Sequence, residues 1–356
     1  MVNVGKDFED AMARVQAVSN ATDKQFKMMQ KEAQRLGATT RYSATEAANA
    51  LENLTRNGLN AAQATKALEP TLKLAGANAL DLATAADIAT NTMNAFGLSV
   101  KDLGRIGDVL SATASSSATN INDLYEAMTV AGPFSKIMGK SLEETAAALG
   151  TLANNGIKGS TAGKAIATMY QRLSAITPKA AKALGQFGLN INEATIKSQS
   201  LGETLKMLAD SGIGNSVEAL SEIFGKNFAG TISQLINNVD NFNSMLDKTT
   251  GSANTVSRMF QQGVGSMKNA LDTLKSTWEA FLISMSQKTG GVIKGAINLI
   301  TGLINNFKTL GGTIMNIGAV AMPFILKGLR NFQKTASIVF KKVAADAVAV
   351  KAAIGG

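Results

Sequence analysis

The chain has 356 residues, 45% apolar but only 5% aromatic, and a formal charge of +9. This length can bury a sizeable core in one to three domains, and an apolar set dominated by Ala, Leu, Ile and Met favours helices, where those side chains lose little freedom. Cys and His are both absent, which excludes a thiol nucleophile, a disulfide framework, a Cys/His zinc site and a histidine general base, while a carboxylate or lysine enzyme is still allowed.

The opening Met1-Val-Asn-Val-Gly-Lys-Asp7 lacks the apolar stretch of a secretory signal, so a cytoplasmic origin is expected. The basic excess favours nucleic acid, anionic lipid or an acidic protein surface, or else simply solubility; no dense Lys/Arg block decides between them. Four prolines in the whole chain leave room for long helices.

Up to about residue 250 the pattern predicts short helices separated by glycines, with almost no alternation of period two. Ser43-Ala-Thr-Glu46 is a capping box, in which hydroxyl and carboxylate each satisfy an orphan N–H; its helix should end near Gly58. Asn60-Ala-Ala-Gln63 opens the next, with a stop expected near Gly76. Ser99-Val-Lys-Asp102 is a weaker start, and the run Ser115, Ser116, Ser117, Thr119, Asn120 reads as a loop. Ser141-Leu-Glu-Glu144 is a second full box with a stop at Gly156, and Thr177-Pro178 reads as an N-cap with Pro at the first helical position.

An internal repeat accompanies these signals. Ser43, Glu46, Ala48, Ala50, Leu51, Leu54, Asn57 and Gly58 recur 98 residues later as Ser141, Glu144, Ala146, Ala148, Leu149, Leu152, Asn155 and Gly156. Phe96-Gly97-Leu98 is echoed at Phe187-Gly188-Leu189. Duplication of a helical module, about 43–98 and 141–189, accounts for this better than shared Ala-rich composition does.

Residues 251–266 read as a hinge, after which the pattern changes. Met267, Leu271, Leu274, Trp278, Phe281 and Met285 form one apolar seam; Ile293, Ile297, Ile300, Ile304 and Phe307 form a second. Leu271, Leu274, Trp278, Phe281, Ile293, Ile297, Ile300, Ile304 and Phe307 are therefore expected between helices or between copies. Thr309 to Leu326 holds no charge but is at the short limit for a membrane span and is weakened by Gly311, Gly312, Asn316 and Pro323. Ile314, Ile317, Phe324 and Ile325 are its candidate membrane contacts.

Two patterns superficially suggest chemistry. Glu143-Glu144 could be a carboxylate pair, but its place in a capping box points to structure. Gly156 to Lys164 approaches a phosphate-loop spacing, yet Ala165 follows the lysine where a magnesium-binding hydroxyl is needed, so a tight turn between helices is expected. No cofactor or metal is expected, and an enzyme using Glu144 and Lys164 is the weakest reading.

Ordered segments of the chain resemble the core of phage tail tape measure proteins. They are Phe8 to Val18, Leu36-Gly-Ala-Thr-Thr-Arg-Tyr-Ser-Ala-Thr-Glu-Ala-Ala48, Asp81 to Ile88 with Ala95 to Leu98, Ser141 to Leu149, Asn155 to Ser160, Ile223-Phe-Gly225, and Leu274-Lys-Ser-Thr-Trp-Glu-Ala-Phe281. The resemblance implies an all-α virion protein: a core at 1–250, the hinge at 251–266, and oligomerising or membrane-contacting helices at 267–356. It implies no enzyme activity, a place in the tail lumen after assembly in the host cytoplasm, a role in tail length determination, and release during genome ejection. The implied partners are other copies in a small homo-oligomer such as a trimer, the major tail tube protein, tail assembly chaperones and the distal tail and tip hub proteins, with the host membrane and the genomic DNA end as further contacts. The alternative is a membrane-active helical protein, a pore former or injected effector. A fully helical chain of this length would span only about 530 Å, so a fragment of a longer protein is expected.

Overall fold

The computed structural model describes residues 2–264 and, beyond them, 272, 273, 275–280 and 283. Among the described residues there are sixteen α-helices, two 3-10 turns and no strand, so the fold is all-α. Helix α1 (Val2–Ser19) lies along α3 (Ala44–Arg56) and buries Phe8, Ala11, Met12 and Val15, one stripe at helical spacing. Helices α2 (Asp23–Thr39) and α4 (Ala61–Asn78) complete the first group, and α5 (Leu82–Phe96) follows. After a 3-10 turn at Val100–Asp102 come α6 (Leu103–Ser116), α7 (Ile121–Ile137), α8 (Leu142–Asn154) and α9 (Gly159–Ser174).

The repeat has a structural register. Helices α2, α3 and α4 begin at 23, 44 and 61; α7, α8 and α9 begin at 121, 142 and 159, each 98 residues later. Both middle helices end the same way. Gly58 (φ +93°) and Gly156 (φ +81°) take the left-handed conformation open to a residue without Cβ. Behind them the Leu59 N–H donates to Leu54 O (3.2 Å) and the Ile157 N–H to Leu152 O (3.0 Å), closing a Schellman end. The two groups differ where α7 crosses α9, because a Cβ on Gly163 would meet Ala127 O at 2.5 Å, so the backbones all but touch.

Helices α10 (Pro178–Gln186), α11 (Glu193–Ser198), α12 (Leu201–Asp210), α13 (Val217–Phe224) and α14 (Lys226–Ile236) follow, with α9 against α11, α13 and α14. Helix α15 (Val239–Thr250) returns across α8 and α6. Helix α16 (Thr255–Val264) lies within the stretch expected to be a hinge, and it packs on α4 and α6. Its Phe260 ring fills a notch at Gly76, where a Cβ would lie 2.5 Å away, and Val256 meets Gly107. Gly76 is thus a packing notch rather than the stop of α4, which runs to Asn78 and ends on Ala79 in the left-handed region. The Ser/Thr run is helical through Ser116 and leaves it only at Ser117.

Candidate functional site

The most specific motif segment, Leu36 to Ala48, forms the corner between α2 and α3. Gly37 lets the chain fold back, since a Cβ there would meet Ala44 N at 2.4 Å. The Ser43 N–H donates to the Glu46 carboxylate (2.7 Å) and the Glu46 N–H to the Ser43 hydroxyl (3.1 Å). The Arg41 guanidinium lies 4.9 Å from the Tyr42 ring centre and donates to its hydroxyl at 3.2 Å.

The corner receives residues from far along the chain. The Ser276 hydroxyl donates to Thr40 O (2.6 Å), and the Thr277 hydroxyl shares its one proton between Thr273 O in its own turn (2.7 Å) and Ala38 O (3.0 Å), so both reach carbonyls that the end of α2 leaves without helical partners. Thr273, Ser276, Thr277, Ala280 and Ile283 are buried, and Trp278 is half-buried. The described residues 275–280 of the second resembling segment therefore meet the first, 36–48, in space. Beside them is a cleft of about 450 Å³ whose charged lining is Asp7, Arg41, Glu46, Asp272, Lys275 and Glu279. Burial pushes the Glu279 carboxyl above its usual value; Glu46 and Asp7 push the same way and Lys275 opposes them.

The equivalent corner of the second group lies between α7 and α8. There the Glu144 carboxylate serves two helix starts, accepting from the Ser141 N–H (2.9 Å) and from the Leu201 N–H (2.6 Å) that opens α12. Lys140 is buried and donates to Ile196 O and Gln199 O at the end of α11. Burial draws the Lys140 ammonium below its usual value, against the attraction of Glu144 and Glu203. Glu143 pairs with Arg105 at 2.6 Å. The carboxylate pair is thus engaged in caps and an ion pair, and Lys164 is exposed on the first turns of α9, past the turn at Gly156–Gly159.

A third long-range cap starts α16. The Asp108 carboxylate of α6 accepts from the Asn254 N–H (2.9 Å) and the Val256 N–H (2.8 Å), with Asn254 held at φ +66°. Nothing local in the sequence marks these distant caps, because each partner lies 57 or more residues away. Among the described residues no cluster of acidic groups is placed to hold a metal, and no helix is long and apolar enough to cross a membrane. Leu271, Leu274, Phe281, Ile293, Ile297, Ile300, Ile304 and Phe307, and likewise Ile314, Ile317, Phe324 and Ile325, lie outside the described residues.

Charge divides sharply along the chain. Residues 1–264 carry 24 Lys/Arg and 23 Asp/Glu, whereas residues 265–356 carry 11 and 3. Residues 1–264 are therefore nearly neutral, and the basic excess belongs to residues 265–356.

Repeated helices, notched glycines and carboxylates held by backbone N–H groups define a helical packing module. Residues 30–226 match the model of the phage-related minor tail protein family, and the chain belongs to that family. It is 28% identical over 86% of its length to a tape measure protein of Pneumococcus phage Dp-1, and 27% identical over 90% to a probable tape measure protein of Escherichia phage P2. It spans 27% and 42% of the lengths of those relatives. No solved structure matches it.

Proposed function

We propose that the chain is the folded core and following segment of a tape measure protein, a structural component of a phage tail rather than an enzyme. The single observation carrying this reading is its similarity, over most of its length, to relatives bearing that name. The geometry agrees with it: Glu143, Glu144, Glu46 and Asp108, the carboxylates at the two corners and at the start of α16, are engaged in caps and ion pairs. The longest described helices have 18 residues, about 27 Å each, so the core is a poor ruler. On this reading it serves as an anchor at one end, and length is measured by chain beyond it. The seams at 267–285 and 293–325 join copies into a small oligomer, and the basic segment after residue 264 faces the tube wall or the genome end. Tube protein, assembly chaperones and tip proteins are the partners this role requires.

The experiment is co-expression of the chain with the tube protein and chaperones of its own gene cluster. Tubes that form only with the chain present, and carry it at one end, support the role. Tubes that polymerise identically without it and never retain it would remove it.

A further inference from the structure

The two α-helical corners are built alike but closed differently. At the second, the closing segment is the end of α11 and the start of α12, held by the buried Lys140 ammonium on two carbonyls and by the Glu144 carboxylate on Leu201 N–H. These are charge-assisted bonds. At the first, the closing residues come from beyond residue 271, and the bonds made to Thr40 O and Ala38 O are neutral hydroxyl–carbonyl pairs. Neutral pairs hold less firmly than charge-assisted ones.

The geometry points to a releasable strap: residues 275–280 close the α2–α3 corner through Ser276 and Thr277, and the charge on Glu279 sets how firmly they hold. Four carboxylates and two cations line the cleft at this contact. The cleft that Glu279 lines is also lined by Asp7 from α1, Arg41 and Tyr42 from the corner, and Glu46 from α3, with Asp272 and Lys275 from its own segment; of these Lys275, Glu46 and Asp7 act on its charge. Glu46 cannot turn away, because its carboxylate caps α3. Lys275 approaches Glu279 only to 3.9 Å. Burial first, and then the like charges of Glu46 and Asp7, disfavour a charged Glu279, against the attraction of Lys275.

The direction follows from linkage. The docked strap holds the Glu279 proton more tightly than the free strap does. Docking is therefore strongest below the ordinary carboxyl range and weakens as pH rises through the raised value. Trp278, the one tryptophan in the chain, rides on the strap and reports its state.

The test is acrylamide quenching of Trp278 in the full chain from about pH 4 to about pH 8, with circular dichroism following the core. Wild type should show quenching that rises about twofold or more with pH, while Glu279→Gln stays protected throughout. Ser276→Ala with Thr277→Val should be readily quenched at every pH with helicity retained. A wild-type profile flat with pH, or a Glu279→Gln profile that tracks wild type, would overturn the strap's control by Glu279. Unchanged quenching in a folded Ser276/Thr277 variant would overturn the closing contact itself.

Discussion

Replacing Asp108 with Ala should loosen α16 while leaving the rest of the core folded. The carboxylate accepts two backbone N–H bonds, at 2.9 Å from Asn254 and 2.8 Å from Val256. Removing a charged cap of this kind costs about 1–2 kcal/mol. Beside these bonds Asn254 sits at φ +66°, a left-handed conformation that asparagine adopts readily. A loss of about 2 kcal/mol raises the opening equilibrium of residues 252–264 about thirtyfold. Hydrogen exchange read by mass spectrometry should show this as faster exchange centred on 252–264, with a smaller rise in the contacting turns of α4 near Gly76 and α6 near Gly107. Asp108→Asn, which keeps one acceptor, should fall between. Unchanged exchange over 252–264 in Asp108→Ala would refute the claim that this carboxylate ties α16 to the core.

The remaining expectations concern the second corner, the α7–α9 crossing and the seams. Gly163→Ala should lower the thermal midpoint, because its Cβ would meet Ala127 O at 2.5 Å and backbone must shift, costing about 2 kcal/mol; an unchanged midpoint would mean the crossing has room to spare. Glu144→Ala should destabilise more than Ser43→Ala in urea, about 2 against about 1 kcal/mol, since Glu144 serves two helix starts; equal losses would remove the second cap. Ile300→Asp with Ile304→Asp should shift light scattering toward the monomer while the core still melts cooperatively, and an unchanged mass would reject the seam as an interface.

What the sequence made legible was local. The capping boxes at Ser43 and Ser141 and the Thr177-Pro178 start are i to i+3 patterns, and each marks the start of a helix that forms. The Asn-Gly ends were legible for the same reason, since only a residue without Cβ sits easily at φ +93° or +81°. The end of α4 falls two residues past Gly76, near the expected stop, but that glycine itself is a packing notch, and the ring that fills it, Phe260, lies on α16. The start of α16 inside the expected hinge was hidden likewise: its cap is a carboxylate on α6, so the local sequence around Asn254 carries no box. The Leu36 to Ala48 and Leu274 to Phe281 segments stood out separately, but the meeting of Ser276 and Thr277 with the α2–α3 corner depends on tertiary packing.

Tail length tests most directly whether a compact anchor precedes the measuring chain. In the phage that carries this chain, an insertion of 28 helical residues, four heptads, beyond residue 300 should lengthen the tail by about 42 Å in electron micrographs. The same insertion in the exposed turn after Gly188 should leave the length unchanged. Equal lengthening from both sites, or none from either, would contradict an anchor of this kind.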